Sequence, residues 1–340
     1  STLGISLSST EQSELESMVK DSLHPTARVN QYTGFIGNIM ASRIAAHWDF
    51  SGPAFTISAD ENSTVKALQV AQLLLAAGEV EAVLVGAVDL AGSLENVLLR
   101  QQLGTINDGN PTLSYDRQAT GWLIGEGAGA VVLKRLDTVR TDQERAYAVI
   151  EAISLIHETG SVADGISLPR YPATETVQRA CGDAMNRAGV RPTDIDYLEV
   201  FGSGIPSEDN AELAGLLIAY GAEQTDKHHC ALGSVKANIG HTFAASGMAS
   251  LIKTALCLHH RYIPATPNWS GPKAVAGWHV SNNPFYVPPQ SCSWFSPESS
   301  DRIGQSRRIA ALNSLGSDGA CGHIILSDAP KQKGYIHSYL

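Results

Sequence analysis

Apolar positions change their period several times along this chain, and each change marks an element. Residues 11–22 form a largely polar helical stretch, and a second helix runs through Met40, Ile44 and Ala45 after the turn residues Gly34, Gly37 and Asn38. The Gly52-Pro53 turn opens a short β run over 55–58. Residues 62–78 place Val65, Leu68 and Leu75 at helical spacing, with alanines between them for close packing. Residues 82–88 are a near-continuous run of small and branched side chains, as in a buried strand. A glycine turn at 125–129 feeds another strand. From 147 onward a second series follows: strand 147–157, helix 174–189, strand 197–201, helix 207–220, a loop at 236–241, helix 244–259, and strands 309–313 and 323–326. The order predicts an α/β protein in two related halves, 1–141 and 142–328. Residues 329–340 lack a periodic apolar face and read as a tail or linker.

Composition narrows the class. With 340 residues, 43% hydrophobic and 17% charged, the chain can bury a large core. Its 31 glycines and few aromatics suit tight strand-helix turns rather than a helical bundle. A net charge of -10 without any basic stripe excludes nucleic acid as the expected partner. An acidic carrier protein would need a local basic patch or another subunit. The cysteines, Cys181, Cys230, Cys257, Cys292 and Cys321, show no metal-ligand spacing, and their odd number fits reduced thiols. No apolar run reaches membrane-spanning length, and Ser1-Thr2-Leu3-Gly4 is no signal peptide. The expectation is a cytoplasmic protein with no metal and no cofactor. The run Gly125-Glu126-Gly127-Ala128-Gly129 precedes a strand, not a helix, so nucleotide binding is not predicted.

The junction at Asp60-Glu61-Asn62 carries the candidate chemistry. A strand running into a helix places this residue at the positive end of the helix dipole, which favours an anion. A carboxylate there is a poor nucleophile towards thioesters, because its acyl adduct is a labile anhydride. Glu61 can hold a charge, or it can simply cap the helix.

Four blocks, taken in order, resemble the signature blocks of β-ketoacyl synthases of the thiolase fold. They are 52–68, 125–129, Lys236-Ala237-Asn238-Ile239-Gly240-His241, and Asn313-Ser314-Leu315-Gly316 through His323. The resemblance spans about 29–328. In 29–43 and Trp48-Asp49-Phe50 it is nearest to the chain-length-factor domain of polyunsaturated fatty acid synthases. It implies a thiolase-like fold of two βαβ halves in a layered αβαβα arrangement, with the N-terminal half incomplete. Active members use a cysteine and two histidines. Carried over by position, the cysteine falls on Glu61 and the first histidine on Phe201, in Glu199-Val200-Phe201-Gly202-Ser203-Gly204-Ile205. The second histidine is kept as His241 and the family's lysine as Lys236. The four are therefore read as vestigial, with no catalytic residue expected.

A phenyl ring neither donates to an oxyanion nor moves a proton, so Phe201 weakens even the decarboxylation half-reaction. His241 can be kept for hydrogen bonding alone. Glu61 has Lys236 and His241 as candidate ion-pair partners. Cys321, where the family usually has asparagine, follows a glycine turn that does nothing to lower its pKa. Leu315 replaces the phenylalanine of the family's Ser-Phe-Gly gate.

The resemblance further implies a dimer in which residues 55–58 pair across a two-fold axis and each acyl tunnel is closed by the other subunit. Gln31, Tyr32, Thr33, Phe35, Met40, Phe55 and Ile57 are the expected tunnel and interface residues. Packing of a dimer core is the competing role for them. The leading expectation is a non-condensing chain-length factor paired with an active ketosynthase, fused or separate, meeting carrier protein only indirectly. A malonyl-carrier decarboxylase supplying starter units is one alternative; a homodimeric binder of acyl chains or carrier domains is the other.

Overall fold

The computed structural model describes residues 8–23, 36–90, 92–102, 104–142, 144–157, 172–221, 228–273, 278, 283–295 and 307–329. They belong to two compact units, 1–57 and 58–340.

The first unit holds α1 (Ser9–Leu23) and α2 (Ile39–His47). Ser8 and Glu11 start α1 reciprocally: the Glu11 carboxylate accepts from the Ser8 backbone N–H at 2.8 Å, and Ser8 Oγ accepts from the Glu11 N–H at 3.3 Å. Met40, Ile44, Trp48, Phe50 and Phe55 are all exposed. Gln31, Tyr32, Thr33 and Phe35 lie outside the described residues. The expected strand over 55–58 does not form here. A strand exists only as half of a ladder, and among the described residues none pairs with it.

In the second unit, α3 (Ser63–Ala77) ends on Gly78, whose φ of 72° no β-carbon-bearing residue adopts cheaply. β1 (Ala82–Asp89) pairs antiparallel with β2 (Gly127–Lys134), with α4 (Leu94–Gln101) between them and α5 (Leu136–Thr141) after them. Only Val85 of β1 is buried, so the expected buried strand is instead covered on one face. Its covering helices lie on that face alone.

The rest builds a mixed six-stranded sheet. Its strands are β3 (Ala148–His157), β4 (Tyr197–Glu199), β5 (Cys230–Gly233), β7 (Phe285–Tyr286), β9 (Ile309–Leu315) and β10 (Ala320–Asp328), in the order β3-β10-β9-β4-β5-β7. β10 is antiparallel to both neighbours, and β9, β4, β5 and β7 are parallel. A small ladder joins β6 (Tyr262–Ile263) to β8 (Cys292–Ser293). The helices are α6 (Thr174–Ala188), α7 (Pro206–Tyr220), the single turn α8 (Lys236–Ile239) and α9 (Ser246–His260).

Alternation along the strands assigns the two faces. Ala311, Leu315 and Ile325 join Val177, Ala184, Leu213 and Leu216 of α6 and α7 in one core. Ala310, Leu312, Ile324 and Leu326 join Val65 and Leu68 of α3 and Met248 and Leu251 of α9 in the other. Val85, with the half-buried Val83, Ala87 and Val131, extends that second core to the β1–β2 ladder. Among the described residues the layers of this unit therefore follow as helix, sheet, helix and sheet, four of the five layers that the family resemblance implies.

Candidate functional site

Residue 61 lies in a 3₁₀ turn, Asp60–Asn62, that precedes α3. The helix N-cap is Asn62, not Glu61, and its side chain does not cap. Instead these three residues together hold the turn before β10. Asp60 Oδ2 accepts from Ser317 Oγ at 3.0 Å, Glu61 Oε2 accepts from the Ser317 N–H at 3.2 Å, and Asn62 Nδ2 donates to the Ala320 carbonyl at 3.0 Å. The fit is close: a β-carbon on Gly316 would come within 2.5 Å of Asn62 Nδ2. Burial raises the pKa of the Glu61 carboxyl; its own N–H and that of Ser317 oppose this, and Asp60 adds to it. The expected ion pair is absent, since neither Lys236 nor His241 lies within 4 Å of this carboxylate. Ser317 takes their place as partner.

Phe201 is buried at the end of β4, on a turn that needs positive φ at Gly202 (51°) and Gly204 (90°). Glu212 of α7, fully buried, fixes that turn. Its Oε1 accepts from the Phe201 N–H and Asn313 Nδ2, both at 2.7 Å, and its Oε2 accepts from the Gly202 N–H at 2.8 Å and Tyr115 Oη at 2.7 Å. Glu199, also fully buried, accepts from Tyr197 Oη at 2.6 Å, Lys253 Nζ at 2.8 Å, Ser250 Oγ at 3.4 Å and the Val235 N–H. Every oxygen of these carboxylates has donors.

Phe201, His241 and Lys236 belong to one unbroken stack. Arg100 of α4 lies over the Phe243 ring, and Phe243 stacks on His241 with centroids 4.3 Å apart. His241 meets the edge of Phe201 at 5.2 Å, and Lys236 Nζ sits 4.1 Å from the Phe201 centroid. Two cations thus cap a run of three rings. His241 Nδ1 accepts from the Phe243 N–H at 3.0 Å. Burial, with Lys236 and Arg100 nearby, holds this imidazole well below its ordinary pKa. It is a neutral ring carrying its proton on Nε2. Burial also lowers the Lys236 ammonium to about 8, against the opposing pull of Glu199, Glu212, Glu61 and Asp209.

What remains open here is small. A cavity of about 10 Å³ is lined by Thr112, Ser114, Gly202, Ser234, Lys236 and His241 among others. That is room for one water-sized particle. A larger cavity of about 250 Å³ lies beside Tyr115, Pro206 and Asp209. Burial and Glu212 push the Asp209 carboxyl up to about 7.

Cys321 sits inside the sheet on β10, fully buried, and burial drives its thiol well above the ordinary value. Leu315 is buried in the helical core. Among the described residues no cluster of His, Cys, Asp and Glu could hold a metal ion, and no helix is long and apolar enough to cross a membrane.

Sequence reasoning misses Arg100 and Phe243. An aromatic two residues after the retained His241 is the available signal for Phe243; nothing local marks Arg100, 143 positions away in the chain.

Residues 1–138 match the family model for the β-ketoacyl synthase N-terminal domain, and 147–270 match the β-ketoacyl synthase C-terminal domain. A subunit of the polyunsaturated fatty acid synthase from Thraustochytrium sp. is 34% identical over 88% of this chain, which spans 14% of that protein. A polyketide synthase of Bacillus subtilis is 32% identical over 85% of the chain, which spans 7% of it. Among solved structures, a ketosynthase-chain length factor, PfaC, is 36% identical at a TM-score of 0.67, covering 98% of this chain and 29% of that one. The ketosynthase from module 6 of the Bacillus subtilis bacillaene synthase is 30% identical at a TM-score of 0.76, covering 86% of this chain and 50% of that one.

Proposed function

Since the chain belongs to the β-ketoacyl synthase family and shares its thiolase-like fold, we propose that it is a chain-length factor: a non-condensing partner of an active ketosynthase in polyunsaturated fatty acid or polyketide-type synthesis. The observation that carries this reading is the filled site. Phe201 stands edge-on to His241 and under Lys236, at the position where the family resemblance expects an imidazole, and the cavity beside Lys236 and His241 is about 10 Å³. Glu61 offers a carboxylate bonded to Ser317 in place of a thiolate. Condensation needs a thiol to accept the acyl group and imidazoles to stabilise the enolate and oxyanion. One imidazole remains.

Similarity to a synthase subunit and to a ketosynthase-chain length factor supports the same reading. The decarboxylase alternative needs both imidazoles, and Phe201 stands against it. As a chain-length factor, the chain supplies a wall of its partner's acyl tunnel through Gln31, Tyr32, Thr33, Phe35 and Met40, with Phe55 and Ile57 at the interface. It contacts carrier protein only through that partner, in the cytoplasm.

Product analysis of the reconstituted ketosynthase pair, with and without this subunit, tests the proposal. A one-to-one complex whose product length depends on the subunit is expected. In the same assay Tyr32→Ala or Phe35→Ala lengthens the product; an unchanged spectrum with the complex intact removes these residues from the wall. A lone homodimer with no effect on any ketosynthase would leave the acyl-binding alternative standing.

A further inference from the structure

We infer that the outward face of α4, with Leu90 just before it, docks against the active ketosynthase partner, an inference that rests on the chain-length-factor reading above. Leu90, Leu94, Leu98 and Leu99 are 69, 70, 53 and 63% exposed. Helical spacing puts Leu94, Leu98 and Leu99 opposite Val97 and Arg100, the half-buried residues of the helix. Leucines this exposed and this close in the chain leave roughly 300 Å² of apolar surface in water, a patch of the size that marks an interaction site on a monomer.

The helix is held from its inner side. Arg100 lies over the Phe243 ring and reaches Asp89 at 3.5 Å. Ser93 Oγ accepts from Asn96 Nδ2 at 3.0 Å at the first turn, and Trp122 Nε1 donates to the Gly104 carbonyl at 3.1 Å beyond the last. The leucines therefore sit on a fixed element, and a partner that covers them orders little else.

Charge chooses the kind of partner. Across 90–101 the charged residues are Glu95 and Arg100, and Arg100 is turned inward. An outward face without lysine or arginine holds nothing for anionic lipid or for an acidic carrier domain. It suits the apolar centre of a protein interface. Its area is over a third of the roughly 800 Å² that each side of a standard interface buries, so the leucines are the core of that interface and not its whole. Through Arg100 the same helix braces the stack of Phe243, His241 and Phe201, so the surface that meets the ketosynthase is tied to the filled site.

The test uses the full synthase protein or the reconstituted pair, with photo-reactive p-benzoylphenylalanine in place of Leu94 or Leu98. Cross-links mapped by mass spectrometry are expected on the ketosynthase. Cross-links confined to this chain, to a second copy of it or to lipid, or no cross-link at all, overturn the inference. In the reconstituted pair Leu94→Asp and Leu98→Asp are each expected to weaken association by about ten- to a hundredfold, and unchanged association overturns it too. Where an aspartate variant fails to fold, the cross-link map decides alone. The chain-length reading is judged separately: it fails where product length ignores the subunit, and the docking face fails where cross-links go elsewhere while product length still depends on it.

Discussion

On one side of residue 201 lie Glu199 and Glu212, two fully buried carboxylates that between them bind side chains or backbone of eight residues. Against the Phe201 ring itself lie the buried Lys236 and His241, with Phe243 and Arg100 continuing the stack beyond the imidazole. The first region keeps every bond needed to hold the strand ends in place. The second is held by contact between rings and cations. The carboxylate frame is held by hydrogen bonds to strand ends and helices, and the groups it presents are held by ring and cation contacts.

The largest expected effect breaks the frame. Glu212→Ala strands the Phe201 and Gly202 N–H groups, Asn313 and Tyr115 together, and costs about 3–5 kcal/mol in urea unfolding. A loss below about 1 kcal/mol would erase the contrast between the two regions.

Lys236→Met has the opposite sign. The folded-state pKa of Lys236 lies below its ordinary value of 10.5, at about 8, so its penalty on the native state is full below that value and fades as pH rises towards 10.5. The cation-π contact with Phe201 offsets part of it. The variant gains about 1–3 kcal/mol at pH 7, and the gain disappears by pH 10.5 in pH-resolved melts.

Glu61→Gln is smaller. A carboxyl whose pKa is raised by burial costs the native state stability as pH climbs through its folded value, above the ordinary 4.5. Glutamine keeps an acceptor for Ser317, so the variant matches the parent at low pH and loses less stability towards pH 8. The smallest effect is none: on the proposed reading, Glu61→Cys forms no condensation product with acyl-carrier substrates, because Phe201 supplies no imidazole. Unaided condensation by that variant would overturn the account of the site.

Much of the fold is legible in the sequence. The helices α3, α6, α7 and α9 and the strands β9 and β10 follow from apolar period and glycine punctuation, because their burial is decided within the chain. The run at 55–58 has strand character without forming a strand, since pairing depends on a second strand that local sequence does not name. Glu61 stands out in the sequence as an unusual residue at its junction, yet its partner does not. Charge alone suggests Lys236, and only the backbone path of 316–320 shows that Ser317 is nearer. Arg100 and Phe243 are invisible for the same reason: a stack assembled from α4, β4 and the segment leading to α9 has no signature in any one of them.

The strand order has a consequence for synthesis. β10, the last described strand, lies between β3 and β9, with Ala320 opposite His157 across the ladder. During translation β3 must wait for a neighbour made more than 150 residues later, and the main sheet cannot close until residue 328 has left the ribosome. A chain cut before β10 would lose the strand that joins β3 to β9.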